Sequence, residues 1–315
     1  MLGEKVTINK NPKKVACISR TSYDLLVAFG LEKNIAGVFE TIKNNPWTNI
    51  FDENINKKYS LKYKESSESL LSKNIDLVFS PEQYLTKQWK NDGINAANIS
   101  LYHKDGFKNY VYFYVDLITK IWDDPKVKEK ANQWKALMQK AINTIEEKIK
   151  NNNLPKKSIY YIRGDRNRGI NYTDNGNSFI EYAYNLLNLR YLGKEFKNNQ
   201  PSIEEIIKLN PDLISLGGIF QHQLEKELKK HNYLKAVKEN KYFNIPVGLT
   251  PFEQLNVFSS AFLYDQANKI YPELFNFDVK NEIQKISKLF FNKELTNQQL
   301  NYILQGLSPD GKIQS

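Results

Sequence analysis

The chain contains few cysteines, histidines, methionines or arginines, and this scarcity excludes several kinds of protein. Among its 315 residues there are one cysteine, three histidines, two methionines and five arginines. A single cysteine allows no internal disulfide and no cysteine-based metal cluster. Cys17 lies inside the apolar run 15–18, so we predict a buried structural thiol.

Membrane and enzyme signatures are also missing. No stretch reaches the roughly 18 apolar residues of a membrane span, and no apolar run precedes Cys17 as it would at a lipidation site. Met1 leads almost directly into a strand-like run, so an export signal, if the natural protein has one, is expected to lie outside this sequence. The hydrolase, zinc-protease, phosphate-loop and dinucleotide motifs are absent, which gives no support for catalysis and does not exclude it.

The positive charge does not have the pattern of a nucleic-acid-binding protein. Lysine and arginine number 45 against 35 acidic residues, for a net charge of +10. Nearly all of the basic residues are lysines scattered among asparagines, without a basic block or a recognisable nucleic-acid motif. The sequence therefore predicts a solvated lysine-rich surface with some attraction for anions, and no nucleic-acid partner.

The remaining composition, 41% hydrophobic and 13% aromatic, is typical of a folded protein long enough for two domains. Apolar runs alternate with amphipathic segments along the chain, which predicts an α/β fold with mostly parallel sheets. An edge strand is predicted at 5–8, a helix at 23–29 and a polar loop at 40–48. Buried strands are predicted at 15–19, 35–38, 75–80, 99–102, 158–162, 212–216 and 242–245.

The longest predicted element is a helix from Pro125 to Lys150. Asp124 and Pro125 provide a typical helix start, and the run 151–155 ends in proline. Apolar residues at steps of three or four form one stripe: Val127, Ala131, Trp134, Met138, Ala141, Ile145 and Ile149. The pattern fits an ordinary surface helix as well as a rigid spine, and the flanking sequence favours the spine.

Two similar segments flank this helix. Glu68 follows a serine and precedes Asp76 by eight residues, and Glu204 precedes Asp212 by the same distance. Each segment indicates a short capped helix, its serine just before the glutamate, that leads into a buried strand. We therefore predict a duplicated fold: an αβ lobe at 1–122, a spine helix at 123–153 that is the only rigid connection, and a second αβ lobe at 154–315.

Ligands of parallel sheets bind beyond the carboxyl ends of the strands, which directs attention to the loops there. Arginine is informative because it is rare and its planar donors match anionic oxygens. Loop arginines in water and core or rim aromatics are the alternatives. The candidate ligand-binding residues are Arg20, Trp47, Glu82, Tyr84 and His103 in the first half, and Arg163, Arg166, Tyr172, His222 and Phe252 in the second.

Two of the three histidines follow predicted strands, one in each half of the chain. His103 and His222 could together contact a metal held between the lobes, because imidazole binds nickel, copper, iron and zinc. Hydrogen-bonding loop histidines are the commoner case.

The order and spacing of several loose motifs resemble the class III solute-binding proteins of ABC importers, which serve iron-siderophore, haem, cobalamin and related metal-chelate uptake. The resemblance covers nearly the whole chain. Its motifs are the opening 11–15, the helix 25–30 with 35–38, Pro46-Trp47, the segments 68–78 and 204–214, the spine helix and the closing 295–306.

This resemblance implies two lobes around a shallow cleft, no enzymatic activity and no permanently bound cofactor. It implies that Glu68 and Glu204 dock on a permease dimer, and that the protein is a periplasmic or cell-surface monomer. Membrane contact would come only through the permease or an anchor absent from this chain. A single stiff helix also predicts small lobe movements on binding.

The cargo is expected to be an anionic metal chelate containing iron or nickel, with a ferric siderophore as the first candidate. A nickel chelate such as nickel–histidine, haem and cobalamin are alternatives of the same type. A metal-cofactor enzyme on a related two-lobe fold is a more distant alternative, as is an interaction protein that lost its ligand.

Overall fold

A computed structural model describes residues 7–8, 10–99, 107–165 and 167–314 of the chain. Across these residues, nine strands form two separate, fully parallel sheets on either side of one long helix. The α/β architecture with two parallel-sheet lobes is as predicted.

The first sheet has the order β3-β2-β1-β4-β5, and its strands are β1 (Val15–Cys17), β2 (Ile35–Phe39), β3 (Tyr59–Leu61), β4 (Leu77–Ser80) and β5 (Ala96–Asn98). Short apolar strands buried on both faces are typical of parallel sheets covered by helices. Those helices are α1 (Arg20–Ala28), α2 (Glu40–Lys43), α3 (Thr48–Phe51), α4 (Ser67–Ser72), α5 (Gln83–Asn91) and α6 (Phe113–Ile121).

The second sheet has the order β7-β6-β8-β9, and its strands are β6 (Ser158–Ile162), β7 (Arg190–Tyr191), β8 (Leu213–Leu216) and β9 (Tyr242–Asn244). Its helices are α8 (Phe179–Leu186), α9 (Ile203–Leu209), α10 (Gln221–Leu228), α11 (Lys235–Lys238), α12 (Ser259–Ile270), α13 (Val279–Phe291) and α14 (Asn297–Leu304).

The spine helix α7 spans Pro125–Lys150 as predicted, which gives a rod about 39 Å long. The Asp124 side chain accepts hydrogen bonds from two backbone N–H groups of the first turn. The predicted stripe is buried as far as Ile145, and the helix packs on α12. The Trp134 indole donates to the carbonyl of Asn256, which lies three residues before α12.

The two flanking segments share a serine-capped helix and an aspartate that accepts a backbone N–H from the neighbouring strand start. Ser66 and Ser202 cap α4 and α9, each two residues before its glutamate, rather than directly before it. The Asp76 carboxylate accepts two backbone N–H bonds at 2.8 Å just ahead of β1, and the Asp212 carboxylate accepts the N–H of Ser158 at 2.8 Å at the start of β6. Each aspartate thus fixes the start of the neighbouring strand in its own lobe.

Some predicted boundaries are wrong. Helix α1 begins at Arg20, three residues early, so Arg20 lies on the helix rather than in a loop before it. A strand is present at Ala96–Asn98, and the N–H of Ile99 donates to the carbonyl of Ser80. Most of the strand predicted at 99–102 lies outside the described residues. Thr7 and Ile8 are not in a strand, and the rest of that predicted strand lies outside the described residues.

The expectation that α7 is the only rigid connection is too simple. Helix α13 packs against α1, with the Phe29 and Phe290 ring centroids 6.4 Å apart. The Trp47 indole donates to the carbonyl of Leu307 at 2.8 Å. The end of the chain therefore also packs on the first lobe, and one hydrophobic core runs through both lobes.

Two smaller predictions concern Cys17 and membrane spans. Burial raises the pKa of the Cys17 thiol to about 12, as expected for a structural thiol with no exposed surface. Of the helices in the described residues, none has both the length and the apolar character needed to cross a bilayer.

Candidate functional site

A cavity of about 440 Å³ lies where the carboxyl ends of the two sheets face each other. Its walls come from the segments that follow β1 and β2 in the first lobe and β6, β8 and β9 in the second. This is the position at which parallel α/β sheets bind ligands.

Arg20 forms the first lobe's charged wall. Its Nη2 donates a long hydrogen bond of 3.4 Å to the carbonyl of Thr41. Its Nη1 is buried and has no hydrogen-bond partner within the described part of the chain. Burial lowers the pKa of this guanidinium to about 10, opposed by the negative charge of Glu253. Arg20 thus lines the cavity with a guanidinium that keeps one buried donor unpaired.

The opposite wall depends on a close backbone contact between two loops. Gly164 follows β6 with φ +74°, and a Cβ there would overlap the carbonyl oxygen of Gly217 after β8. Gly217 in turn lies under Glu253, whose Oε1 would be 2.6 Å from a Cβ at that position. Glycine is required in both loops so that they can meet beneath the cavity.

Glu253 is the most deeply buried acid lining the cavity, at 6% exposure. Its Oε1 accepts hydrogen bonds from the backbone N–H of Gly218 at 2.7 Å and the Tyr161 hydroxyl at 3.2 Å. Its Oε2 has no partner in the described structure. Burial raises the pKa of this carboxyl.

Arginines and Tyr172 line the remaining part of the second lobe's wall. The Arg168 guanidinium lies 3.4 Å from the centre of the Tyr172 ring, and that of Arg163 lies 5.4 Å from it. Arg168 also pairs with Asp165 at 2.9 Å, and this hydrogen bond lowers the pKa of Asp165. Tyr172 therefore holds two guanidinium groups by cation–π contact at the cavity.

Two helix starts reach the same cavity. Arg20 is the first residue of α1, and Ser178 and Phe179 begin α8. Helix N-termini carry partial positive charge, so they add to the positive potential of the arginines. The acids Asp174 and Glu253 offset part of it, and the lining has mixed charge.

The prediction that Trp47 and Phe252 stack on a ligand is corrected by the structure. Both rings have no exposed surface. Trp47 packs in the core with its indole bonded to Leu307, and Phe252 stacks on Phe258 with centroids 5.1 Å apart. Both aromatic side chains pack into the core because the core offers more apolar contact than the cavity.

Glu82, Tyr84 and His222 do not line this cavity either. Glu82 accepts a bond from the Tyr63 hydroxyl at 2.5 Å, and Tyr84 is 51% exposed on α5. The Nε2 of His222 lies 2.7 Å from the carbonyl of Gln305, which can only accept, so this nitrogen donates and cannot bind a metal at the same time.

Arg20, Arg163 and Tyr172 are the predicted residues that the structure brings together at the cavity. His103 and Arg166 lie outside the described residues, and their proposed roles remain predictions. Within the described ranges, no group of three or more histidine, cysteine, aspartate or glutamate side chains is placed to hold a metal ion.

Glu253, Arg168 and Asp174 line the cavity but are not among the candidates chosen from sequence. Glu253 adjoins Phe252 in a loop that the sequence does mark as a strand-end loop. The sequence does not show in which direction each side chain of the loop points. The choice of Phe252 as the ligand contact, rather than Glu253 beside it, therefore rests on residue type alone.

A sequence profile described as "Periplasmic binding protein" matches residues 15–247. The chain belongs to this family. An uncharacterized ABC transporter substrate-binding lipoprotein of Bacillus subtilis, YvrC, is 23% identical over 283 residues, covering 87% of this chain and 84% of the relative. Family members of this kind are substrate-binding proteins of ABC transporters rather than enzymes, and they imply an extracytoplasmic location.

Solved structures share the fold of this periplasmic binding protein. The molybdate protein MolA of Haemophilus influenzae, bound to molybdate, has a TM-score of 0.78 at 14% identity, covering 93% of this chain and 97% of MolA. An ABC-type Fe³⁺-hydroxamate transport protein of Saccharomonospora viridis has a TM-score of 0.68 at 14% identity, covering 85% and 96%. The resemblance to class III solute-binding proteins is thereby confirmed.

Proposed function

We propose that this substrate-binding protein captures an anionic metal chelate, with a ferric siderophore as the first candidate, and delivers it to the permease of an ABC importer. The observation that carries the proposal is Arg20, whose buried Nη1 has no partner among the described residues. A buried unpaired donor costs about 1–3 kcal/mol, and more when charged. The guanidinium is held only by the long 3.4 Å bond to Thr41, and a small rotation toward an anionic oxygen in the cavity would remove that cost.

The surroundings of Arg20 support the same ligand class. Arg163 lies on the facing wall, and the starts of α1 and α8 add positive potential. Of two proteins with this fold, one binds molybdate and the other belongs to an Fe³⁺-hydroxamate transport system, so the fold accommodates both an oxyanion and a ferric chelate. The stiff α7 spine and the contact between α13 and α1 favour small lobe movements around such a cargo.

The test is a titration of the purified chain with a ferric tris-catecholate, followed by tryptophan fluorescence and by the thermal midpoint. We expect Arg20→Gln to weaken binding roughly 10- to 100-fold, because a charged hydrogen bond is lost from a dry wall. Arg190→Gln is the matched control. Arg190 pairs with Glu195 at 2.7 Å and does not line the cavity, so its loss should leave affinity unchanged.

The same titration is repeated with the metal-free catecholate, a ferric hydroxamate, haem and cobalamin. Binding of the ferric complexes without binding of the metal-free ligand supports the proposal. If the unaltered chain ignores every metal chelate, or if Arg20→Gln and Arg190→Gln behave alike, the proposal fails.

A second candidate cargo is a small nickel chelate such as nickel–histidine. It is favoured by Glu253, whose unpartnered Oε2 could accept from a ligand ammonium or amine while Arg20 binds a carboxylate. A tris-catecholate offers no such nitrogen donor. Glu253→Gln should therefore weaken nickel–histidine binding while leaving ferric tris-catecholate binding intact, and the opposite pattern would eliminate this candidate.

A further inference from the structure

A second cavity, which we call the side chamber, lies beside the candidate ligand site. Its volume is about 480 Å³, and three residues, Arg20, Thr41 and Ile219, line both cavities. Each volume falls within the roughly 300–1,000 Å³ that is usual for small-molecule pockets. A ligand in the first cavity therefore has a second space of similar size next to it, across the residues that the two cavities share.

The other wall of the side chamber is a hairpin at 307–314, which we call the closing hairpin. The backbone N–H of Ser308 donates to the carbonyl of Lys312 at 2.9 Å, and the Lys312 N–H donates to the Ser308 hydroxyl at 3.0 Å. Leu307 and Ile313 form an antiparallel bridge, and the Leu307 carbonyl is also bonded to the first lobe. The closing hairpin is thus a fixed wall. The family profile ends at residue 247, so the family assignment does not account for this hairpin.

The polar groups of the side chamber suit an uncharged ligand group. The Thr41 hydroxyl is buried and has no hydrogen-bond partner among the described residues. Asn44 is exposed and lines the chamber, and its amide can both donate and accept. The charges of the hairpin largely cancel, because Asp310 pairs with Lys312 at 2.6 Å. The arginines and acids of the first cavity have no counterpart here beyond the shared Arg20.

The side chamber also has an apolar surface that packing within the chain leaves uncovered. Ile313 lines it with 46% of its surface exposed, one of only six large hydrophobic residues so exposed in the described chain. Pro46 on the facing loop is exposed as well, and Ile219 is half-buried between the two cavities. A short alkyl group in the chamber would remove this apolar surface from water.

We propose that the side chamber is a second ligand subsite, which takes an uncharged arm of the cargo while the anionic metal-binding part lies in the first cavity. The arm would carry an amide, bonded by Asn44 or Thr41, followed by a short alkyl segment against Ile313. The cargo is then an asymmetric chelate, anionic at one end and uncharged at the other. This inference rests on the proposed function and narrows its ligand class.

The experiment compares two ferric complexes that differ only in the arm. Both contain the same tripodal tris-catecholate, and one of them carries a single N-butylamide arm directed away from the metal. Metal, donor atoms and net charge are therefore identical. We expect the arm to tighten binding to the unaltered chain roughly tenfold, because its alkyl carbons leave water.

Two variants assign that gain to the side chamber. Ile313→Ser should remove most of the gain from the arm and leave the affinity for the complex without the arm unchanged. Asn44→Ala should weaken binding of the armed complex roughly two- to fivefold through the loss of a neutral hydrogen bond. Both side chains are exposed, and the thermal midpoint of each variant reports whether the fold is intact.

Ile207→Ser is the matched control. Ile207 is 41% exposed, close to the 46% of Ile313, and it lies on α9 away from both cavities. The same loss of an exposed aliphatic side chain at this position should leave the affinities for both complexes unchanged.

The outcomes separate the inference from the function on which it rests. If neither ferric complex binds the unaltered chain, the ferric-siderophore proposal fails and the inference falls with it. If both bind equally well, or if Ile313→Ser and Ile207→Ser behave alike toward the armed complex, the proposed function stands and the side chamber is not a cargo subsite. Equal weakening of both complexes by Ile313→Ser would also overturn the inference, because the hairpin would then shape the first cavity rather than hold an arm.

Discussion

The two lobes are alike at helices α4 and α9 and unlike at their cavity walls. Both helices have a capped start, an exposed glutamate, and a buried and then an exposed aliphatic residue, and each is followed by an aspartate that fixes a strand. At the cavity, one lobe contributes Arg20 on a helix, whereas the other contributes two interlocked glycine loops, Glu253 and a cluster around Tyr172. A repeated surface suits a partner that presents two like contacts, whereas the unlike walls give the cavity two chemically different sides.

Gly164→Ala should have the largest effect on stability, because it damages the cavity wall of the second lobe and leaves the first lobe unchanged. The added Cβ would overlap the backbone oxygen of Gly217 in a left-handed conformation. The loops would have to separate, and we expect the free energy of unfolding to fall by roughly 3–5 kcal/mol, as for other severe steric changes. Denaturant unfolding measures the effect, and cargo binding should be lost as well.

Gly30→Ala is the control in the first lobe. Gly30 has a similar φ of +79°, but a Cβ there meets nothing within 4 Å. Only the cost of the left-handed backbone remains, roughly 1–2 kcal/mol. If the two variants lose the same stability, the contact between the glycine loops is not holding the cavity wall.

Asp76→Ala and Asp212→Ala test whether the two lobes are stabilised in the same way at positions away from the cavity. Each change leaves backbone N–H groups at the start of a strand without their acceptor, which should cost about 2 kcal/mol in each lobe. Asp212 also pairs with Lys235, so its loss should be the larger. Equilibrium unfolding of both variants gives the comparison directly.

Asp212 adds a pH signature to that experiment. Burial opposes its ionisation, but hydrogen bonds from Lys235 and Ser158 lower the pKa of Asp212 to about 2. Because its folded-state pKa lies below the unfolded value, its contribution is present above pH 4 and is lost as the pH falls from about 4 to about 2. Asp123→Ala, at a solvent-exposed ion pair, should change stability little. A large effect there would weaken the comparison.

Elements with strong local signals could be predicted from the sequence. The ends of α7 are set by Asp124, Pro125 and the polar run after Lys150, and β6 follows Ser158 with the apolar and aromatic run 159–162. The segment 40–61 gave no such signal, and α2, α3 and β3 were missed there. These elements are only three or four residues long, and tertiary contacts rather than local periodicity hold them in place.

The cavity could be predicted in position but only partly in composition. Parallel topology brings strand ends together, and rare arginines pointed to Arg20 and Arg163. Whether a side chain near a strand end turns inward or outward depends on packing from distant parts of the chain. Trp47, for example, is buried by contact with residues near 307, about 260 positions away.

The last substitution is at Asp24 of α1, a residue that contacts the second lobe, and a modest change in stability is expected there. This buried carboxylate accepts the backbone N–H of Val257 from the second lobe at 2.6 Å. Burial raises the pKa of Asp24 to about 7, so the folded state holds the proton more tightly than the unfolded state. Stability should therefore fall as the pH rises from about 4 to about 7.

Asp24→Asn keeps an oxygen acceptor for Val257 and removes the buried charge. We expect the variant to be roughly 1–2 kcal/mol more stable than the unaltered chain at pH 8 and equally stable at pH 4, where the aspartate is already neutral. Thermal unfolding across this pH range checks both points. A variant less stable at pH 8 would mean that the ionised carboxylate itself holds the two lobes together, and the contact between them would then depend on charge rather than on packing.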